Sequence, residues 1–109
     1  MKISLIIPTY RNPEYLDICL KSAIEQQNEV NEIIVIVDGY IEESQEILDK
    51  YEGRINVLDL VENQGMQQAL NFGVMNAANE IIFNICRHNG LILAIISGIQ
   101  PQPQLVLPI

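Results

Sequence analysis

The sequence is poor in positive charge. Six Lys and Arg stand against fourteen Asp and Glu in 109 residues, which gives a net charge of -8. Binding to a nucleic acid polymer depends on clustered cations that displace counterions from phosphates, and the six cations here are scattered. We therefore expect no nucleic acid partner, and an anionic ligand would need local hydrogen-bond donors instead.

Cysteines and long apolar runs are also scarce. Two cysteines, Cys19 and Cys86, are too few for a disulfide-rich scaffold, so a reducing compartment is the default expectation. The apolar run at residues 3–7 is too short for the core of a signal peptide, and that at residues 91–96 is too short to span a membrane. We expect a cytoplasmic protein without a transmembrane segment.

The sequence does contain a regular alternation of aliphatic runs and helical repeats. Apolar residues at helical spacing predict three helices, over residues 12–24, 41–51 and 66–78. Aliphatic runs predict four strands, over residues 3–7, 32–37, 55–61 and 81–85. The third is interrupted by Asp59 and is therefore expected nearer an edge of the sheet. This alternation predicts a Rossmann-like α/β fold of three layers, with a parallel βαβαβαβ sheet in the spatial order 3-2-1-4.

The composition changes sharply after Arg87. All twenty charged residues, six basic and fourteen acidic, lie at or before this position, and none occurs among the 22 that follow. We therefore expect one folded unit at residues 1–86 and an uncharged, divergent tail at residues 87–109. Within the tail, residues 91–96 suit an extra strand and residues 101–104 an extended end. Such an apolar tail either orders against the fourth strand or promotes self-association.

Polar or turn-forming residues follow three of the four predicted strands. In a parallel sheet the carboxyl ends of the strands meet at one edge, where ligands of open α/β sheets bind. We expect one crevice to be bordered by Pro8, Thr9, Tyr10, Asn12, Asp38, Asn63 and Gly65.

The same strand ends carry motifs that resemble the amino-terminal, nucleotide-binding half of the family 2 glycosyltransferases, which have the GT-A fold. The resemblance covers roughly residues 2–85 and rests on three separated pieces: Ile6-Ile7-Pro8-Thr9-Tyr10 with Asn12, Ile36-Val37-Asp38-Gly39, and Asn63-x-Gly65-x3-Ala69-x-Asn71-x-Gly73. The family has asparagine directly after the tyrosine, whereas Arg11 intervenes here. The resemblance implies a truncated GT-A domain that binds a nucleotide-diphosphate sugar for transfer to an acceptor hydroxyl.

The chemistry of the strand-end residues suits a nucleotide. Tyr10 offers an aromatic face to a base, and its loop offers backbone hydrogen bonds. A carboxylate at Asp38 can accept from a ring N–H, which uracil carries at N3 and cytosine lacks. We therefore favour a UDP-sugar, and guanosine and thymidine nucleotides are compatible with the same acceptor. Each residue also has a structural interpretation: a strand exit for Pro8 to Tyr10, a turn or helix cap for Asp38, and a turn for Asn63 and Gly65. Gly73 lies within a predicted helix and is expected to permit close packing.

The resemblance also implies a divalent cation, Mn²⁺ or Mg²⁺, held by an Asp-x-Asp after the fourth strand. Those positions fall at Cys86 and His88, with Arg87 between, so no metal site is evident and the catalytic residues stay unassigned. The family's general base would follow the Asp-x-Asp, where few residues remain. We therefore expect an incomplete copy of a transferase. The alternative is a non-catalytic nucleotide-binding remnant or a docking module, and enzymatic activity is left open.

Overall fold

Strands and helices alternate along the chain, as the sequence predicts. The computed structural model describes residues 3–25, 31–79, 81–87 and 90–96, and for the last two ranges the description is confined to the backbone. Its elements, in order, are β1 (Ile3–Thr9), α1 (Pro13–Glu25), β2 (Glu32–Val37), a 3₁₀ turn (Ile41–Glu43), α2 (Gln45–Lys50), β3 (Asn56–Asp59), α3 (Met66–Asn76), β4 (Ile81–Arg87) and β5 (Gly90–Ile96).

The strands form one sheet in the order β3-β2-β1-β4-β5. Strand β1 lies parallel to β2, with Ile6 opposite Ile34, and parallel to β4, with Ile6 opposite Asn84. Strand β3 is parallel to β2 at the sheet edge. The predicted order 3-2-1-4 and the predicted α/β fold are confirmed.

The fifth strand departs from the parallel pattern, because β5 pairs antiparallel with β4. A connection that is only a few residues long, between Arg87 and Gly90, can reverse the chain but cannot carry it back for a parallel pairing. The backbone of residues 91–96 therefore extends the sheet as a strand. Residues 97–109, with the predicted extended end, lie outside the described residues, and self-association of the tail stays a prediction.

Side chains of the inner strands alternate between two apolar cores, because successive residues of a strand point to opposite faces. One core lies between the sheet and helices α1 and α2; it contains Leu5, Ile7, Leu16, Cys19, Leu20, Ala23, Ile33, Val35, Val37 and Leu48. The other lies between the sheet and α3; it contains Ile6, Ile34, Ile36, Ala69, Leu70 and Val74. The sheet is thus covered on both faces, which explains why apolar side chains occur at successive positions in residues 5–7 of β1 and 33–37 of β2.

Helix α3 packs very closely on the sheet at Gly73. A Cβ atom built on this glycine would lie 2.5 Å from Cγ2 of Ile6 and 3.3 Å from Cδ1 of Ile36. Real carbon atoms do not approach so closely, so a side chain at position 73 would push the helix away. The predicted role of Gly73 in helix packing is confirmed.

Three predicted boundaries differ from the structure. Strand β1 does not end before Pro8 but continues to Thr9. Its pairing with β4 ends at Ile6, so the backbone N–H that Pro8 lacks would have had no partner in β4. The second helix is divided, because the chain makes a 3₁₀ turn before α2 starts at Gln45. Strand β3 stops at Asp59, whose Oδ1 accepts a 2.8 Å hydrogen bond from the N–H of Val61 and turns the chain.

Candidate functional site

A cavity of about 310 Å³ lies where the carboxyl ends of β1 and β2 meet the loop that follows β3. Six of the seven residues that the sequence predicts for a crevice line it: Pro8, Thr9, Tyr10, Asp38, Asn63 and Gly65. Two further lining residues, Met66 and Ala69, come from the first turns of α3. The parallel sheet therefore brings residues from three separate parts of the chain to one site.

Asp38 holds two of these parts together. Its side chain is buried, and Oδ1 accepts a 2.6 Å hydrogen bond from the N–H of Gln64. Oδ2 accepts from the N–H of Gly65 at 3.0 Å and from Nδ2 of Asn63 at 2.9 Å. A carboxylate that accepts several N–H groups fixes their positions, so Asp38 fastens the loop after β3 to the end of β2. These bonds span 25 to 27 positions of the sequence, so this structural role differs from the local turn or helix cap that the sequence suggests for Asp38.

Gly39 makes room for that loop. A Cβ atom at this position would lie 3.1 Å from the backbone nitrogen of Asn63, and the residue has φ of +99°. Both the crowding and the left-handed backbone favour glycine. The Asp-Gly pair after β2 thus supplies the acceptor for the loop and the space for its close approach.

Asn12 lies outside the cavity lining that the other six residues share. Its Oδ1 accepts a 3.3 Å hydrogen bond from the N–H of Tyr15, which is the position of a helix N-cap for α1. Pro13 follows as the first residue of the helix, where a missing N–H has no cost. The structure therefore gives Asn12 a local role in starting α1.

Tyr10 separates this cavity from a second one. The second cavity, of about 400 Å³, shares Tyr10 and Asn63 with the first and is also lined by Tyr40 and by the acidic residues Glu42, Asp59 and Glu62. The rings of Tyr10 and Tyr40 meet edge to face, with centroids 6.1 Å apart and planes at 64°. About half of each side chain remains exposed, Tyr10 by 48% and Tyr40 by 45%. The two cavities therefore adjoin at Tyr10 and Asn63, and the rings of Tyr10 and Tyr40 form an exposed aromatic corner there.

Three lining residues, Tyr40, Met66 and Ala69, are not among the crevice residues predicted from the sequence. Tyr40 directly follows the Asp-Gly turn, and this position next to a strand end was a usable signal. Met66 was read only as part of an apolar helical stripe, yet 59% of it is exposed. Helical periodicity predicts on which face of a helix a residue lies. It does not predict that the first turn of the helix extends past the ends of the strands.

The ion pair between Arg11 and Glu43 lies close to the aromatic corner. Arg11 donates from Nε and Nη2 to the two carboxylate oxygens of Glu43, at 3.3 and 3.0 Å. These hydrogen bonds, and the attraction between the opposite charges, raise the pKa of Arg11 above its ordinary value. The guanidinium also lies over the ring of Tyr40, 4.0 Å from the centroid. The guanidinium of Arg11 thus contacts both the carboxylate of Glu43 and the ring of Tyr40.

No metal site is formed by the part of the chain whose side chains are described. Within that part, no group of three or more His, Cys, Asp or Glu residues could hold a metal ion. The positions that correspond to the family's Asp-x-Asp, Cys86 and His88, lie outside it, since only the backbone of Cys86 is described and His88 is not. The Mn²⁺ or Mg²⁺ expected from the resemblance therefore has no assigned ligands.

The sheet order, the three layers and the crevice at the carboxyl edge define an α/β domain, and the solved structures that are similar to it are glycosyltransferases of the GT-A fold. S. aureus TarS, solved in complex with UDP, superposes with a TM-score of 0.68 and 27% identity, over 78% of this chain and 27% of that one. The mannosyltransferase PcManGT of Pyrobaculum calidifontis, solved with GDP-Man and Mn²⁺, has the same fold, with a TM-score of 0.65 and 19% identity over 74% of this chain and 26% of that one.

The family is shown by sequence. The family model for Glycosyl transferase family 2 matches residues 4–85, and the chain belongs to this family. Over 83 residues it is 34% identical to glycosyltransferase GlyG of Streptococcus pneumoniae, covering 73% of this chain and 28% of GlyG. It is 31% identical over 83 residues to the cholesterol galactosyltransferase of Borreliella burgdorferi, covering 74% of this chain and 23% of the relative.

The chain thus spans less than a third of the length of these relatives. It matches their family in the segment that contains β1 to β4. Among the described residues, no helix has the length and apolar character needed to cross a membrane.

Proposed function

We propose that this chain is the donor-binding part of a family 2 glycosyltransferase and that its crevice holds a nucleotide-diphosphate sugar, with a UDP-sugar preferred. The observation that carries the proposal is the convergence of residues from three strand ends on one cavity. Binding of UDP by TarS, whose structure is 27% identical over most of this chain, supports the same ligand class.

Three of the lining residues have specific roles in this proposal. The exposed ring of Tyr10 packs against the nucleoside, since aromatic rings and bases stack on one another. Asp38 and Asn63 keep the loop after β3 in place, so the crevice keeps its shape before the ligand arrives. A preformed crevice saves the entropy of ordering loops on binding.

The preference for uracil rests on Asp38. Its Oδ1 accepts a hydrogen bond from Gln64, and a carboxylate oxygen has room for a second donor. Uracil can supply this donor from N3–H, as can thymine, and guanine can supply one from N1–H. Cytosine has no ring N–H at the equivalent position, so CDP is expected to bind more weakly.

The proposal is confined to donor binding. In the complete reaction an acceptor oxygen bonds to the anomeric carbon, the bond to the nucleoside diphosphate breaks, and a base takes the hydroxyl proton. A divalent cation would neutralise the diphosphate as it leaves. Since the described side chains provide no cluster for such an ion, we assign no residue to the metal and no step to it.

Isothermal titration of the purified chain with UDP and CDP, each with and without Mn²⁺, tests the proposal. We expect UDP to bind more tightly than CDP, and both Asp38→Ala and Tyr10→Ala to weaken UDP. Asp49→Ala removes an exposed carboxylate of α2, outside the two cavity linings, and is the matched control. Circular dichroism of each variant separates loss of folding from loss of binding. Absence of UDP binding by the folded wild-type chain would overturn the proposal.

The alternative of a non-catalytic binding module shares the binding result and differs in turnover. Release of UDP from UDP-glucose or UDP-galactose, followed with a coupled UDP assay, would identify the chain as a transferase in its own right. Metal-independent binding without UDP release, under conditions that keep the chain folded, would favour the module.

A further inference from the structure

The loops that follow β1 and β2 are joined by side chains, because their backbones part at the edge of the sheet. The last backbone hydrogen bond between the two segments runs from the N–H of Asp38 to the carbonyl oxygen of Thr9, at 2.9 Å. Among the described residues, no backbone hydrogen bond connects residues 10–12 with residues 39–43. The relative position of the two aromatic side chains at this edge therefore depends on contacts between side chains.

Arg11 supplies the contacts that join the two loops. Its Nε and Nη2 donate to the two carboxylate oxygens of Glu43, at 3.3 and 3.0 Å, and its guanidinium lies 4.0 Å from the centroid of the Tyr40 ring. A planar guanidinium with two parallel hydrogen bonds has a fixed direction, which a single charged contact does not give. Tyr40 is therefore held on one face by a cation whose own orientation is set by Glu43.

Tyr40 in turn orients Tyr10. The two rings meet edge to face with centroids 6.1 Å apart, a geometry in which the edge of one ring is attracted to the face of the other. Tyr10 lines both cavities and is the ring that the proposed function places against the nucleoside. Since 48% of Tyr10 is exposed, packing against the body of the protein fixes this side chain only in part, and the contact with Tyr40 supplies the rest.

The backbone conformation of Arg11 and Tyr40 agrees with this interpretation. In the described part of the chain, they are two of the three non-glycine residues with positive φ, at +50° and +57°. A left-handed backbone is unfavourable for residues that carry a side chain and persists where surrounding contacts impose it. The two residues contact each other, so the same side-chain contacts that orient the rings also hold both loops in this conformation.

We propose that Arg11 is a positioning residue for donor binding: through its hydrogen bonds to Glu43 and its contact with Tyr40, it orients Tyr10 before the nucleotide arrives. This inference rests on the proposed function, which assigns Tyr10 to the nucleoside. Arg11 itself does not touch the ligand. Its effect is to avoid the entropy loss of fixing an aromatic side chain at the moment of binding. Arg11 and Glu43 act as one unit, because the carboxylate sets the direction of the guanidinium.

A direct contact between Arg11 and the diphosphate predicts the opposite dependence on Glu43. An arginine that binds phosphate has to leave Glu43, so removal of the carboxylate charge would free the guanidinium and strengthen UDP binding. An arginine that positions Tyr10 loses its own support by the same substitution, so UDP binding weakens. The two roles also differ in the ligand that they affect, because uridine has no phosphate and responds only to the position of the aromatic side chain.

The test compares the wild-type chain with Arg11→Asn, Glu43→Gln and the double variant. Asparagine tolerates the left-handed backbone at position 11, and glutamine keeps the size of Glu43 without its charge. Arg11→Lys is the conservative variant, which keeps a cation near Tyr40. Lys50→Gln is the matched control, because it removes the cation of an ion pair of similar exposure, with Asp17, outside both cavity linings. Isothermal titration measures UDP affinity, displacement of UDP measures uridine affinity, and circular dichroism checks the folding of each variant.

We expect Arg11→Asn, Glu43→Gln and the double variant to weaken UDP and uridine by one common factor of about 3 to 10, since exposed ion pairs and cation–π contacts are modest interactions. Arg11→Lys should weaken both ligands less than Arg11→Asn does, and Lys50→Gln should bind like the wild type. The inference is overturned, while the proposed function stands, by any of three results: wild-type uridine affinity in a folded Arg11→Asn variant, UDP binding by Glu43→Gln that is no weaker than that of the wild type, or a loss in the double variant equal to the product of the two single losses. If the wild-type chain binds no nucleotide, the proposed function fails and this inference with it.

Discussion

The carboxylate of Asp38 and the backbone N–H of Gly65 are joined by a 3.0 Å hydrogen bond between residues 27 positions apart in the sequence. The same carboxylate accepts from Gln64 and Asn63, so one buried side chain positions the loop that leads into α3. Asp38 therefore has a structural role in the loop, apart from the ligand-binding role that we propose for it. Any effect of its substitution on nucleotide binding has to be separated from its effect on the loop.

Asp38→Asn separates the two effects. An amide keeps the size of the side chain but presents N–H groups to at least one of the loop donors, which then loses its acceptor. A buried donor without a partner costs about 1–3 kcal/mol, so we expect the free energy of unfolding to fall by that amount. Urea denaturation measures the loss, and amide hydrogen exchange at Gln64 and Gly65 should become faster. Unchanged exchange at both amides would contradict the structural role.

The matched control for this substitution is Asp49→Asn. Asp49 is an exposed residue of α2, where it accepts a hydrogen bond from Gln45 four residues earlier. Its replacement should change stability by no more than about 0.5 kcal/mol, as for most surface substitutions. A loss as large as that of Asp38→Asn would point to a general effect of charge.

Gly73→Ala should destabilise the protein even though alanine favours helices by about 1 kcal/mol over glycine. The new Cβ would meet Ile6 Cγ2 at 2.5 Å, and this clash has to be relieved by moving α3 or β1. Overpacking of a dense core costs about 1–3 kcal/mol, so the sum is a net loss of up to about 2 kcal/mol. Urea denaturation measures it, with Gln68→Ala at an exposed position of α3 as the control.

A double-mutant cycle with Ile6→Ala identifies the cause. Removing Cγ2 of Ile6 takes away the atom that the new methyl group would contact. The two substitutions should therefore cost less together than the sum of the single costs, with a coupling of about 0.5–3 kcal/mol. Additive costs would show that the loss at position 73 comes from another source.

The fold could be predicted from the sequence because its signals are local and repeated. The aliphatic runs at residues 5–7 of β1 and 33–37 of β2 require cover on both faces, and helical repeats in the chain supply the cover. Boundaries were harder to predict. The sequence predicts that β1 ends before Pro8, whereas the strand continues past it. Whether a proline interrupts a ladder depends on how far the neighbouring strand extends, and this is a tertiary property.

The site could be predicted in part for the same reason. Strand ends of a parallel sheet converge whatever the side chains are, so six lining residues were within reach of the sequence. Contacts across loops were not. Nothing local indicates that Arg11 bonds Glu43, 32 positions away, or that Tyr40 thereby becomes oriented beside Tyr10. These contacts depend on how two loops meet in space.

At the end of the sheet opposite the crevice, Glu32 accepts hydrogen bonds from three separate parts of the chain. Its Oε1 accepts from the hydroxyl of Ser4 at 2.8 Å and from the N–H of Ala78 at 2.9 Å, and its Oε2 accepts from Nδ2 of Asn56. Glu32→Ala should leave the buried Ser4 hydroxyl and a backbone N–H without this acceptor, at a cost of about 1–3 kcal/mol in unfolding free energy.

Glu32→Ala also separates stability from binding. Glu32 begins β2 and the crevice lies beyond the other end of that strand, so UDP affinity of the folded variant should match that of the wild type. Urea denaturation and titration with UDP measure the two properties. Glu46→Ala, an exposed acidic residue of α2, controls for the loss of one negative charge. A variant of normal stability would show that the hydrogen bonds of Glu32 are replaceable by water.

The contact between α1 and α2 makes stability depend on pH at both extremes. Tyr51 donates a 2.7 Å hydrogen bond to Oδ1 of Asp17, and Lys50 pairs with the same carboxylate at 3.0 Å. The hydrogen bond from Tyr51, followed by that from Lys50, holds the pKa of Asp17 below its ordinary value of 3.8. Burial, followed by the hydrogen bond to Asp17, raises the pKa of Tyr51 to about 12.

The signs of the two shifts fix the window in which the contact stabilises the fold. A depressed carboxyl pKa contributes stability above the unfolded value of 3.8, and this is lost as pH falls through the folded value. A raised tyrosine pKa contributes stability below the unfolded value of 10.0, and this is lost as pH rises toward 12. The difference in unfolding free energy between wild type and Tyr51→Phe should therefore be greatest between about pH 4 and 10 and shrink outside it.

Denaturation in urea at about pH 3, 7 and 11 checks this window. At the middle pH we expect the unfolding free energies of wild type and Tyr51→Phe to differ by about 1 kcal/mol or less, because about a third of the Asp17 side chain is exposed to screening solvent. Carboxyl ¹³C titration supplies a second measurement, in which Tyr51→Phe should raise the pKa of Asp17 toward its ordinary value. If the pKa of Asp17 is the same with and without the tyrosine hydroxyl, the hydrogen bond between the two helices does not form in solution.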